Sequence, residues 1–495
     1  MIRRTFISST VGTLAAAGLP QAEAQTRASN RKPETPPEGA PNILWICTDQ
    51  QRWDTIGSLG NPHIRTPHLD ALAKEGMAFT HAYCQNPICT PSRASFLTGK
   101  YPRSIDACKN GNDSWEEEAP LVTKLLADAG YDCGLAGKFH LTSAHNRIEK
   151  RLDDGYRVFD WSHHPKDSWP EGHTYNDWLK SQGVDYTSIH KKHGSIPTKF
   201  HQTTWCADRA IDFMNEPRQG PWLFSFNCYD PHPPLDPPKE YLDRFDPDSL
   251  PVPAFAEEDL REEGQLGELM FQSSAKRLDE KTARLNLAKY WAMIELIDDQ
   301  VGRMLQALEV SGQRENTVVI FTSDHGHMIG DHGLYNKGCR FYEGLVRVPL
   351  IWSWPKHFPA SPACNALVEL LDIAPTLMEL AGLPVPDHMH GRSLLPILKG
   401  DAPRNEHRAF VRSTYSETLD GPASFGTMLR DRRYKLINYH GTGKGQLFDL
   451  QDDPNEHRNL WSDPSFADIK LELMQTSFDV EALTADTGSS RSGRY

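Results

Sequence analysis

Five stretches of this chain gather side chains capable of bond-breaking chemistry. Cys89-Thr90-Pro91-Ser92-Arg93 places a thiol, a proline and a permanent cation within five residues. Proline suits the first turn of a helix, where its missing N–H costs nothing. A helix starting there turns free N–H groups and its positive dipole end toward whatever binds beside Cys89. Arg93 can hold an anion by charge-assisted hydrogen bonds. Asp49-Gln50, Lys138-Phe139-His140, Asp230-Pro231-His232 and Ser323-Asp324-His325-Gly326-His327 add carboxylates, imidazoles and a lysine. These are parts for displacement at an anionic centre: acids, bases, and cations that neutralise developing charge.

The elements that must position them can be read from the hydrophobic pattern. Residues 42–48 are an apolar run bounded by Pro41 and Asp49, a buried strand. Further strands are expected at 131–137, 222–227, 317–322 and 349–352. A helix starts at Thr66-Pro67, carries Leu69, Leu72 and Ala73 on one face and stops at Gly76. A long helical pattern covers about 280–308. Strands alternating with helices imply an α/β fold, a large mostly parallel sheet sandwiched by helices. Four of the five reactive stretches follow an expected strand, and open α/β sheets bind ligands at the carboxyl ends of their strands. One polar loop residue after a strand is ordinarily just solvated; four such groups on one edge are not coincidence. Short strand-like runs at 409–412, 424–430, 434–439 and 447–449, then a helix at 468–478, predict a smaller C-terminal antiparallel sheet plus helix. The boundary falls near residue 400, giving a catalytic domain at 41–400 and a small subdomain at 401–495.

A chain of 495 residues suits this division better than one compact unit. The net charge of -13 argues against nucleic acid and against a polybasic membrane patch. It also requires a locally basic pocket for any anionic substrate. Arg3-Arg4-Thr5-Phe6-Ile7 is similar to a twin-arginine motif, and a weakly apolar run at 11–19 and Ala22-Glu23-Ala24 follow. Residues 1–24 read as an export signal, too short to span a bilayer, and 25–40 as a flexible spacer. No later segment reads as transmembrane, so the expected location is periplasmic or secreted. The nine cysteines have irregular spacings without a C-x-x-C pair, which disfavours a zinc cluster, and few disulfides are expected.

The Cys-x-Pro-x-Arg run at Cys89–Arg93, continued by Ala94 to Lys100, resembles the signature of the type I, formylglycine-dependent sulfatases of the alkaline phosphatase-like superfamily. The resemblance extends over nearly the whole chain after residue 40. Asp49 matches the first metal carboxylate, and Asp324 and His325 the second metal pair. Gly137-Lys138-Phe139-His140 is similar to the family's G-K-x-H element, and His232 to its loop histidine. Gly330-Asp331-His332-Gly333-Leu334 with Lys337 resembles the element whose lysine grips sulfate. Gln446 to Leu450, with Asp453, Pro454 and Glu456, resembles the C-terminal element. One departure is Gln50, where many members carry a second Asp.

The resemblance implies that a formylglycine-generating maturation enzyme oxidises Cys89 to an aldehyde. It implies metal ligation by Asp49, Gln50, the Cys89-derived hydrate, Asp324 and His325, with Arg93, Lys138, His140, His232 and Lys337 as catalytic groups. One divalent cation is implied. Ca2+ is favoured by the resemblance, while the oxygen-rich set with one imidazole also suits Mg2+, Mn2+ or Zn2+. In the implied mechanism Asp324 is the base for attack on sulfur, His232 or Lys337 protonates the leaving alcohol, and His140 takes the proton that lets sulfate go.

The expected function is an exported sulfuric ester hydrolase acting on a small organic sulfate or sulfated saccharide, with exo-type action in a narrow pocket. Alternatives are a phosphodiesterase or phosphonate monoester hydrolase of the same superfamily, and a non-catalytic carbohydrate-binding relative. The last needs a lost nucleophile or lost cations, and the sequence shows neither. Tyr156, Trp161, His163, His164, Trp169, His173, Tyr175, Trp178, His201 and Trp205 either stack on sugar rings or pack a long insertion. The oligomeric state is open.

Overall fold

The apolar run after Pro41 forms the central strand, β1 (Asn42–Thr48), with every residue buried. The computed structural model describes residues 39–105, 109–112, 119–144, 147–167 and 172–485. The expected export signal, all but the end of the spacer, and Trp169 lie outside the described residues. With β2 (Met77–Tyr83), β3 (Asp132–Gly137), β4 (Val158–Trp161), β5 (Trp222–Asn227), β6 (Thr317–Ser323), β7 (Arg347–Ser353) and β8 (Cys364–Glu369), β1 builds an eight-stranded sheet. The order is β4-β3-β5-β1-β6-β7-β2-β8. β7 runs antiparallel to β6 and β2, and every other pair is parallel. The sheet is thus mostly parallel, as expected. β2, β4 and β8 are additions to the expected set. β4 and β8 are the edges of the sheet; β4 is largely half-buried, while β8 is buried except at Asn365.

Alternation along β1 sends its side chains to two cores. Leu44 and Ile46 face α1 (Pro67–Glu75), α3 (Gln202–Met214) and α5 (Glu280–Val310), through Leu69, Leu72, Trp205, Phe213, Ile297 and Val301. Ile43, Trp45 and Cys47 face the other side, where Phe96 and Leu97 of α2 (Cys89–Thr98) pack. α4 (Glu257–Gln265) lies between α3 and α5 in the chain. At Gly76, between α1 and β2, a Cβ would stand 2.0 Å from the Trp352 carbonyl oxygen, so only glycine lets the helix turn so directly into the sheet.

A second sheet follows: β9 (Val411–Ser416), β10 (Phe425–Arg430), β11 (Tyr434–Tyr439) and β12 (Lys444–Asp449), antiparallel in the order β12-β11-β10-β9, then α6 (Ala467–Thr484). This is the expected smaller sheet plus helix. Its first strand starts two residues later than expected, and its helix is longer. Val411, Tyr415, Met428, Ile437, Tyr439 and Phe448 belong to the same core as Ile43 and Trp45 of β1. At roughly 1.5–3 kcal/mol for each fully buried large apolar side chain, their burial rivals the net stability of an ordinary domain. Lys435 of β11, fully buried, joins the two parts by charge. Its Nζ lies 2.8 Å from Glu343 and 2.6 Å from Glu456. Among the described residues no helix is long and apolar enough to cross a membrane.

Candidate active site

Parallel register sets the first contact of the site. Thr48 of β1 pairs with Ser323 of β6, so Asp49 and Asp324 leave the sheet side by side. Both are fully buried. Gln50 follows with φ of 68°, a left-handed conformation uncommon outside glycine. Its N–H donates to Asp324 Oδ1 at 3.0 Å, and its carbonyl accepts the Tyr290 hydroxyl at 2.7 Å.

Cys89 opens α2, as the early proline predicts. Its Sγ lies 3.0 Å from Lys337 Nζ, 3.3 Å from His325 Nε2, 3.6 Å from Lys138 Nζ and 3.7 Å from Asp49 Oδ1. One helical turn on, Arg93 donates from Nε to Asp324 at 2.9 Å, from Nη2 to Asp49 at 3.3 Å and from Nη1 to the Lys138 carbonyl at 2.9 Å. Lys138 Nζ lies 2.5 Å from Asp49 Oδ2. The structure therefore unites Cys89, Arg93, Lys138, Lys337, Asp49, Asp324 and His325, all buried, although three strand ends, α2 and the loop before β7 deliver them.

Charge sets the protonation states. Burial and Asp49 oppose ionisation of Cys89, but Lys138, Lys337 and His325 prevail and hold the thiol well below its usual range. Burial likewise opposes ionisation of Asp49, and Lys138, Arg93 and Lys337 overcome it, so Asp49 stays a carboxylate. Asp324 is pushed up by burial and by Asp49. Three cations face two carboxylates here, which gives the acidic chain its locally basic pocket.

His140 and His232 stand at the edge of the cluster, half-buried and without direct contact to Cys89. The Pro233 carbonyl can only accept, so His232 Nδ1 donates to it at 2.7 Å and Nε2 carries the lone pair. Burial and Lys337 push this imidazole well below its usual range, so it is neutral. His140, at φ 58°, is also kept neutral by burial and Lys138, and its Nδ1 has no partner. Asp230 turns away. Its carboxylate meets Thr203 and His201, and its carbonyl accepts the Asp49 N–H at 3.2 Å.

The donor set fits a hard divalent cation. The ligand atoms of Asp49, Cys89, Asp324 and His325 lie within 4.8 Å of one another. His325 Nδ1 is taken up by the Gly326 carbonyl at 2.8 Å, leaving Nε2 as the ligating nitrogen. Gln50 Nε2 is held by His327 Nδ1 at 3.0 Å, while Gln50 Oε1 is buried without a partner, as an amide ligand requires.

Two supporting residues escaped the sequence reading. His327 fixes the Gln50 amide. Glu149 accepts the N–H groups of His140 at 2.7 Å, Leu141 at 2.8 Å and Thr142 at 3.1 Å, and the Trp161 indole at 2.6 Å, and so builds the loop that carries His140. His327 was visible two residues past His325, but Glu149 sits in a charged stretch that gives no signal. Of the aromatic insertion, Trp161, Tyr175 and Trp205 are buried in packing. His163 and His164 instead gather around Tyr229, with His140 and His232. Ring centroids stand 5.1 Å apart for His140–His163, 5.2 Å for His164–Tyr229 and 4.6 Å for Tyr229–His232.

Comparisons with known proteins identify the family. The model of the family described as Sulfatase matches residues 41–383, and that of N-sulphoglucosamine sulphohydrolase, C-terminal, matches residues 330–482. An arylsulfatase of Clostridium perfringens is 32% identical over 448 residues, spanning 85% of this chain and 90% of its own. An N-acetylglucosamine-6-O-sulfatase of Bacteroides thetaiotaomicron is 27% identical over 511 residues, spanning 90% of this chain and 87% of its own. The solved phosphonate monoester hydrolase of Agrobacterium radiobacter is 27% identical with a TM-score of 0.75, covering 90% of this chain and 96% of that one.

Proposed function

The chain belongs to the sulfatase family of sulfuric ester hydrolases, and on that premise we propose that it removes sulfate from a sulfated saccharide or similar small organic sulfate, with Cys89 matured to formylglycine. One observation carries this reading: Cys89 Sγ sits among Lys138, Lys337, His325 and Asp49 in a single buried cluster. Formylglycine supplies a hydrated aldehyde, a nucleophile that no encoded side chain offers. Asp49, Gln50, Asp324 and His325 would hold a hard divalent cation, Ca2+ by family likeness, and it supplies Lewis-acid charge beside nucleophile and sulfuryl oxygens.

The chain's own residues do the rest. Lys138 and Lys337 bind the sulfuryl oxygens, and Arg93, locked between Asp49 and Asp324, keeps its positive field fixed on them. Asp324, raised by burial, takes the proton of the attacking hydroxyl. Lys337 protonates the leaving oxygen. His232 is the poorer acid, because its one ring proton is engaged by Pro233. His140, neutral and with a free Nδ1, takes the proton that accompanies sulfate release. The half-buried rings of His163 and His164, backed by the buried Tyr229, offer a face to a terminal sugar, in keeping with the saccharide sulfatase among the relatives. The twin-arginine-like start supports a periplasmic or secreted location. Recovery of a reporter fused after residues 1–40 solely from the cytoplasm would end that part.

The likeness to a phosphonate monoester hydrolase favours a second reading, cleavage of phosphonate monoesters at the same site. One preparation decides between them. Peptide mass spectrometry reads residue 89, and parallel assays compare aryl sulfate, sulfated saccharides and an aryl phosphonate monoester. Formylglycine with preferred sulfate turnover is expected. An unmodified thiol in fully active protein removes the nucleophile, and faster phosphonate cleavage removes the substrate class.

A further inference from the structure

Away from Cys89, three residues distant in sequence bring ligating atoms to one point. Asp259 lies in the first turn of α4, His332 in the short turn Asp331–Gly333, and His457 in the run after β12. Asp259 Oδ1 stands 3.1 Å from His332 Nδ1 and 3.1 Å from His457 Nδ1, and all three atoms lie within 4.8 Å of one another. We infer that Asp259, His332 and His457 form a second cation site, of the zinc type, separate from the catalytic one.

An ordinary pairing accounts for His457, whose Nδ1 is hydrogen-bonded to Asp259 Oδ1 at 3.1 Å. His332 Nδ1, buried at the same distance from that oxygen, is not aligned for a hydrogen bond to it. The two imidazoles thus face one carboxylate oxygen as ligands around a shared ion would. In a tetrahedral site with bonds of ~2.0–2.1 Å, ligand atoms stand roughly 3.3–3.4 Å apart, close to the spacing here.

Each ligand is also pre-set by its own support. Asp259 Oδ2 accepts the Ala256 N–H at 2.8 Å, which leaves Oδ1 for the site. The His332 ring stacks on Tyr342 with centroids 3.8 Å apart. His457 is partly exposed, so a fourth, water-filled position has a path to solvent. Two imidazoles and one carboxylate suit Zn2+ far better than Ca2+ or Mg2+. Bound there, the ion would clamp α4, the turn five residues before Lys337, and the C-terminal run.

Cobalt(II) titration of the full chain, freed of metal by a chelator, tests this. Co2+ held by imidazoles in a low-coordinate site absorbs visibly far more strongly than Co2+ in an octahedral oxygen site. The band is expected in the wild type and in Asp324→Asn, and in His457→Ala its midpoint should move to roughly 10–100-fold higher cobalt or beyond. His457→Gln keeps a polar contact to Asp259 but brings no imidazole, and should lose the band too while melting like the wild type. No band in the wild type, a band unchanged in both His457 variants, or a band lost with Asp324→Asn would each overturn the site.

Discussion

Lys337 and Cys89, 248 residues apart in the chain, meet with Nζ 3.0 Å from Sγ. Lys138 closes on the same sulfur at 3.6 Å. A buried position held between two ammonium groups is built for an anion. The environment that ionises the thiol here would equally favour an oxyanion in its place.

Metal removal should abolish turnover, and a hard divalent cation should restore it. Asp324→Asn deletes a charge and a base together, so kcat/KM should fall on the order of 1,000-fold. Gln50→Ala loses only a neutral donor and should cost roughly tenfold. Elemental analysis and kcat/KM on the same samples check both. Active protein without bound divalent metal would refute the ligand assignment.

Proton delivery by Lys337 predicts a leaving-group effect. Lys337→Ala should slow alkyl sulfates about 100-fold more than nitrophenyl sulfates, whose leaving groups need little protonation. His232→Ala should show a smaller difference. His140→Ala should release the alcohol in a burst and then turn over slowly, because sulfate leaves late. Equal losses on both substrate types in Lys337→Ala would assign the proton elsewhere.

Lys435 is fully buried between Glu343 and Glu456 and also donates to the Phe341 carbonyl at 2.9 Å. Lys435→Met would leave Glu456 without its cation, beside Glu343, which keeps Arg347 and Arg430. A loss of about 3–5 kcal/mol is expected, read by denaturant titration. Lys435→Met with Glu456→Gln together should recover part of it.

Acid should destabilise the fold. Burial holds His390 at about 4 and His81 at about 3. Above the unfolded value near 6.5 both are neutral in either state, and their contribution is complete. Below it the unfolded chain binds protons that the folded chain refuses, so each histidine removes up to about 1.4 kcal/mol per pH unit down to its folded value. Asp298, raised by burial to about 7, acts in the opposite sense between there and the ordinary carboxylate range. Two histidines outweigh one aspartate, so the melting temperature should fall from pH 6.5 to 4.5. His390 Nδ1 accepts the Tyr101 N–H at 3.2 Å, and His390→Gln should flatten the slope.

What the sequence disclosed depended on how local each signal is. β1, β3, β5 and β6 announce themselves as apolar runs; Asp49, Lys138 and Asp324 follow them directly, and His232 comes in the loop after β5. Cys89 and Arg93 share one helical turn. The edge strand β4 carries a weaker apolar pattern because less of it is covered, and β8 is broken by Asn365 and ends on a charge. The hold of His327 on Gln50 spans 277 residues, and the four bonds accepted by Glu149 exist only once its loop has closed. The difference between Lys337 and His232 as proton donors rests on one carbonyl, that of Pro233, which no spacing encodes.

Cys89, the first residue of α2, is 1% exposed, and its sulfur is walled by charged neighbours. If Cys89 is matured to formylglycine as proposed, the enzyme that oxidises it would have to reach a sulfur that the finished fold covers, so oxidation would have to precede the docking of α2. Adding the maturation enzyme to refolded chains should leave their formylglycine content unchanged, while adding it before refolding should raise it. On that proposal the specific activity of a preparation would record the fraction of chains oxidised before folding.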